Sequence, residues 1–126
     1  MGPVGPRPVV LDAGALIAYE RADRRVVRLL ELAEEVCVPA GVVGQVWRNP
    51  ARQARLARLL SSREVDIAPL DFGIAKAAGH LCGATGTSDV IDATVVLAAR
   101  PIGAVVVTSD PQDVSQLDPS LAVVTC

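Results

Sequence analysis

The sequence is short of aromatic residues, histidine, cysteine and lysine. Tyr19, Trp47 and Phe72 are its three aromatic residues, so the core has to be built from Val, Leu, Ile and Ala. Cys37, Cys82 and Cys126 are odd in number, widely spaced and outside any Cys-x-x-Cys arrangement. That pattern argues against a disulfide framework or a zinc site and leaves the cysteines as small buried hydrophobes. The one histidine, His80, stands between Gly79 and Leu81 with no Ser or Cys nucleophile pattern nearby. It reads as a satisfied or exposed helix residue rather than a catalytic base. No apolar run approaches the roughly 18 residues of a membrane span. Met1 to Pro8 is Gly/Pro punctuation without the apolar centre of a signal peptide. These absences point to a cytoplasmic protein with no membrane partner.

What is present is 126 residues with 51% hydrophobic content, enough for one globular domain with a real core. The expected layout is a flexible N-terminal arm over residues 1–8 and a single domain over residues 9–126, with no repeat or linker. The net charge of −2 hides an asymmetry. Residues 1–63 carry ten arginines against six acids, while residues 64–126 carry Lys76 and Arg100 against eight acids.

Short apolar runs alternate with segments of helical spacing. Strands are predicted over Pro8–Leu11, Val36–Pro39, Val65–Ala68, Gly103–Val107 and Leu121–Thr125. Helices are predicted over 14–20, 23–35, 41–47, 50–61 and 70–81, with Asn49-Pro50 separating the third from the fourth because the proline ring disfavours helical geometry before it. Strands alternating with helices predict an α/β, three-layer domain with a central parallel sheet of about five strands. Ligands of such sheets bind beyond the carboxyl ends of the strands.

The chain from Thr87 to Ala99 forms one more helix, apolar after its start except at Thr94. Asp89 and Asp92 stand three apart on its first turn. They are either caps favoured by the positive helix end or acids aimed at one point. Asp12 and Asp110, which end two of the apolar strands, favour the second reading. Four converging carboxylates are costly: at ~4 Å each pair repels by about 1 kcal/mol in water and about 4 kcal/mol at an effective dielectric of 20. A bound cation or protonation has to relieve this. Oxygen ligands without His or Cys select hard ions such as Mg²⁺ or Mn²⁺, and such sites usually serve phosphoryl transfer.

Four segments together, Val9-Val-Leu-Asp12-Ala-Gly-Ala-Leu, Val38-Pro-Ala-Gly-Val-Val-Gly-Gln-Val-Trp-Arg48, Thr87-Ser-Asp-Val-Ile-Asp92-Ala and Val107-Thr-Ser-Asp110-Pro-Gln-Asp113, resemble a PIN domain of the VapC toxin type. The resemblance spans Val9 to Val124 in the expected order. It implies a Mg²⁺- or Mn²⁺-dependent ribonuclease, usually a homodimer, neutralised by a small antitoxin. Carried over by position, Asp12, Asp92 and Asp110 match the family's acidic residues, and Asp89 joins them as a candidate catalytic residue and metal ligand. Asp113, Ser109 and Gln45 are accessory candidates. Gln45 is a departure, standing where many members carry glutamate. Its amide offers a carbonyl oxygen but no charge, so the site loses one unit of attraction for metal.

Arg48, Arg52, Arg55 and Arg58 are spaced four, three and three, which places them along one side of a helix opposite Leu56, Leu59 and Leu60. This is either an RNA-backbone track or an ordinary solvated face. Trp47 beside it reads as core or interface rather than a base-stacking platform. Three function classes follow: an RNA-cleaving enzyme, an inactive domain that only binds a partner, and a phosphate-accepting receiver domain. The last lacks its paired acids after the first strand and its lysine near the end.

Overall fold

The computed structural model describes residues 7–126. Of the expected N-terminal arm, residues 1–6 lie outside the described residues. Pro8 opens the first strand, and the Arg7 carbonyl accepts the Glu34 N–H at 3.0 Å.

The chain runs β1 (Pro8–Leu11), α1 (Ala13–Glu20), α2 (Arg24–Leu32), β2 (Glu35–Pro39), α3 (Ala40–Val46), α4 (Ala54–Leu60), β3 (Val65–Ala68), α5 (Phe72–Thr85) and α6 (Val90–Ala99). A short 3₁₀ turn (Arg100–Ile102) leads to β4 (Val105–Thr108), α7 (Pro111–Leu117) and β5 (Val123–Thr125). All strand pairings are parallel, in the order β3-β2-β1-β4-β5. This is the expected α/β architecture.

The sheet centre is aliphatic, because strands covered on both faces bury every side chain. Val10 of β1 lies between Cys37 of β2 and Val106 of β4. Val10, Leu11, Val38, Val106 and Val107 are fully buried. Each such side chain contributes about 1.5–3 kcal/mol by leaving water. α6 is the most deeply set helix, with Ala93, Thr94, Val95, Val96 and Ala99 buried and Thr94 Oγ1 donating to the Ile91 carbonyl at 2.6 Å. Cys37 and Cys82 are buried and Cys126 half-buried, all three as free thiols.

Several element boundaries differ from those the sequence suggests: α2 ends at Leu32 rather than residue 35, and β4 and β5 start at Val105 and Val123 rather than at 103 and 121. α7 was not expected, since Pro111 reads as the end of a strand; here it sits in the first turn of a helix, where a missing N–H costs nothing. α5 continues to Thr85 and stops at Gly86, whose φ of 71° suits glycine. α4 starts at Ala54 rather than Pro50. The cause is Gln53, which is buried: its Oε1 accepts the N–H groups of Arg48 and Asn49 at 2.8 and 3.0 Å, and its Nε2 donates to the Val46 carbonyl at 3.0 Å. A side chain tying down three backbone groups holds residues 48–52 as a loop.

Strand order positions the site. From β1 the chain builds outward through β2 and β3 on one side, then returns to place β4 and β5 on the other. Connections therefore diverge between β1 and β4, opening a crevice at their carboxyl ends. Asp12 follows β1 and Asp110 follows β4.

Candidate active site

Asp12 is the N-cap of α1, its carboxylate accepting the Ala15 N–H at 3.0 Å, and only 8% of the residue is exposed. Burial pushes its carboxyl above the ordinary range, partly offset by the Thr108 hydroxyl and the Ala15 N–H, with Asp110 pushing it further up. The exposed Asp110 starts α7 without a side-chain cap bond; its backbone N–H donates to Thr108 Oγ1 at 2.9 Å. Thr108, fully buried at the end of β4, accepts the Asp110 N–H, and its hydroxyl favours the charged form of Asp12. Sequence reasoning did not single out Thr108, although a hydroxyl ending an all-valine strand was the available signal.

Asp89 and Asp92 divide the two readings between them. Asp89 is the N-cap of α6, its carboxylate accepting the Asp92 N–H at 3.0 Å. The half-buried Asp92 makes no such bond. Burial is the main force raising its carboxyl to about 6, followed by the charges of Asp89, Asp113, Asp12 and Asp110. Four acids therefore act on the fifth. Asp89, Asp92 and Asp113 line a cavity of about 250 Å³ with Thr87, Ser88 and Gln116. A larger cavity of about 670 Å³ between α2 and strands β1, β4 and β5 is rimmed by Arg7, Arg24, Arg25 and Arg28, so size alone does not mark the chemistry.

Among the described residues none of these five carboxylates forms an ion pair; the pairs present are Arg28–Glu31 and Arg100–Asp118. An all-carboxylate set with no protein cation matches hard-ion chemistry by donor type. The match stops at donor type: among the described residues no three acidic, histidine or cysteine side chains stand in a metal-holding geometry.

The other two accessory candidates, Ser109 and Gln45, are not in the carboxylate cavity lining. Ser109 is exposed and packs against Gly14, where an added Cβ would fall 2.7 Å from the Ser109 Cβ. Only glycine allows α1 to start this close to the β4–α7 loop. Gln45 is exposed on α3 and is not part of the carboxylate cavity lining. It stands one turn beyond Gly41, which abuts Ile91 beside Asp92, so it shares the α3 face turned towards α6. The four arginines do not share a helix, which corrects the sequence reading. Arg55 and Arg58 are on α4, but Arg52 lies in the Gln53-ordered loop and Arg48 follows α3, its guanidinium donating to the Gly44 and Trp47 carbonyls at 3.2 and 2.6 Å. All four are exposed. His80 is exposed on α5 and Trp47 packs, half-buried, against the core.

The profile of the PIN domain matches residues 9–118. No protein of curated function matches the sequence. Among solved structures, the chain is similar to a toxin–antitoxin complex from Klebsiella pneumoniae, with 17% identity, a TM-score of 0.70 and coverage of 93% of this chain and 96% of that one. It is similar to VapBC2 from Rickettsia felis bound to a DNA fragment from its promoter, with 16% identity, a TM-score of 0.66 and coverage of 94% and 98%. It is also similar to Mycobacterium tuberculosis VapC20, a toxin cleaving the sarcin-ricin loop, with 16% identity, a TM-score of 0.63 and coverage of 78% and 86%.

Proposed function

This chain belongs to the PIN-domain family, and we propose that it is the toxin of a toxin–antitoxin pair, a Mg²⁺- or Mn²⁺-dependent endoribonuclease acting in the cytoplasm. The observation that carries this reading is the set of five carboxylates around the β1–β4 crevice with no ion-paired arginine or lysine among the described residues. Asp12, Asp92 and Asp110, with Asp89, would hold the ion, and Asp113 stands at the rim. When bound, the ion supplies charge neutralisation at the phosphodiester and activation of a water. The chain's own part is orientation: the Ala15 N–H fixes Asp12, and the cap bond fixes Asp89. Asp92 is raised to about 6 in the metal-free chain by burial and its acidic neighbours, and a bound cation would favour its charged form.

The test is cleavage of RNA by purified protein with Mn²⁺ and with excess EDTA. Asp12→Asn and Asp92→Asn are each expected to lower the rate at least about 100-fold, an ion's contribution being several kcal/mol. Folding should hold, since each change relieves repulsion. Equal cleavage in EDTA would overturn the metal mechanism. The expected partners are an RNA substrate, a second copy in a homodimer, and a small antitoxin placing Arg or Lys among the carboxylates, where a charge-assisted pair displaces metal. Gel filtration with the product of the neighbouring gene should show one inhibited complex. The neutral amide of Gln45 favours a second reading, a catalytically weak or inactive PIN domain that serves as a protein-binding module. A complex without any metal-dependent cleavage would select it.

A further inference from the structure

A second cavity, of about 460 Å³, flanks the acidic site through residues adjacent to its acids. Gly14 and Ser109 line it, two residues after Asp12 and one before Asp110, together with Ile17, Ala18, Arg21, Asp23 and Cys126. Asp12 and Asp23 are also among the charges that bear on the Cys126 thiol, as expected of a cavity reaching the site. Arg21 is the lining cation. It follows α1 directly, is exposed, and forms no ion pair among the described residues. Asp23, which also lines the cavity, forms no ion pair with it among the described residues; its Oδ1 accepts the Arg25 and Val26 N–H groups at 2.9 and 3.2 Å to cap α2. Ile17, 38% exposed, gives the cavity an apolar wall, and Ser109 adds a hydroxyl.

A free cation, an apolar wall and a hydroxyl in a space of this size suit one nucleotide, whose phosphate seeks the guanidinium and whose base seeks the wall. The carboxylates next door repel every phosphate except one shielded by a cation, so a neighbouring phosphate is best received on this side. We propose that this cavity is a nucleotide subsite, in which Arg21 binds the RNA phosphate next to the scissile one and Ile17 faces the base. The subsite rests on the ribonuclease reading above and adds a direction to it: the strand leaves the site over Gly14 and Ser109.

The test uses the full chain with Asp12→Asn, which blocks turnover, and a fluorescent single-stranded RNA oligonucleotide. Adding Arg21→Ala should weaken binding roughly tenfold, the scale of one hydrogen-bonded charged contact. The slope of log affinity against log salt should fall by about 0.7. Arg21→Lys should keep the slope, and Ile17→Glu should weaken binding by like-charge repulsion. The comparison variant is Arg63→Ala, an exposed residue before β3 at the opposite edge of the sheet. An Arg21→Ala variant with the affinity and slope of Arg63→Ala overturns the subsite, and cleavage by the unmodified protein then leaves the nuclease reading standing. Loss of binding on Arg21→Ala without cleavage by the unmodified protein keeps the cavity as an RNA-binding site and overturns the nuclease reading, and with it the place next to a scissile phosphate. No RNA binding by Asp12→Asn overturns the subsite, and absent cleavage as well overturns both.

Discussion

Asp89 accepts the backbone N–H of Asp92 at 3.0 Å, and this bond gives two carboxylates three residues apart different work. Asp89 completes the helix end. Asp92 is left with a free carboxyl facing four other acids from half-buried ground, and is raised to about 6.

That shift sets a pH dependence. A carboxyl whose pKa is higher in the folded chain than in the unfolded one loses protons more readily on unfolding, so it erodes stability as pH rises. The erosion starts near the ordinary carboxylate value of 3.8 and is complete above about 6. Metal-free protein should therefore melt higher at pH 5 than at pH 7.5 in buffers of equal ionic strength. Asp92→Asn should reduce this difference and Mn²⁺ should raise the melting point at pH 7.5. Melting that is flat between pH 4 and pH 7.5 in both proteins would show that Asp92 is not crowded.

Thr108 supplies a second test. Replacing it by valine keeps the shape, leaves the Asp110 N–H without its side-chain acceptor and removes the hydroxyl that favours the charged form of Asp12. An unpaired buried polar group costs about 1–3 kcal/mol. Chemical denaturation of Thr108→Val should show a loss of that order, and cleavage should fall further than stability does. A neutral substitution would mean that the hydroxyl does not order the acids.

Gln45→Glu tests the charge that is missing from α3. It adds an anionic ligand of the same length, so metal affinity should rise while the metal-free protein gains repulsion. Thermal melting with and without Mn²⁺ should move in opposite directions, down when metal-free and back up when saturated. Equal shifts in both states would mean that Gln45 points away from the acids, and that Glu20 or no residue supplies the charge.

The arginines beyond α3 are not aligned by one helix. Arg52 and Arg55 remain exposed on the α3–α4 loop and α4. Changing both to alanine should flatten the salt dependence of RNA binding by about 1.4 in log–log slope if each meets one phosphate. An unchanged slope would return them to a solvated surface.

Much of the fold was legible because its determinants are local. Runs such as Val9-Val-Leu and Val105-Val-Val fit only a strand buried on both faces, and their alternation with helical spacing dictates a parallel sheet. Aspartate at a helix start announces itself in the same way, so Asp12, Asp89 and Asp92 were visible as a pattern. α7 escaped notice because proline is compatible with both a strand end and a first helical turn, and the broken arginine series because Gln53 reaches back to Val46. What tertiary structure alone decided was which acids meet. Asp12, Asp89, Asp92, Asp110 and Asp113 come from three separate segments, and the order β2-β1-β4 brings those segments to one crevice. It also set the approach of Ser109 to Gly14 and the hydroxyl of Thr108 between two acids. Local sequence chooses an element through backbone and burial preferences of a few neighbours. The charge felt by one carboxyl depends on distances across the sheet, and those exist only once the strands have found their order.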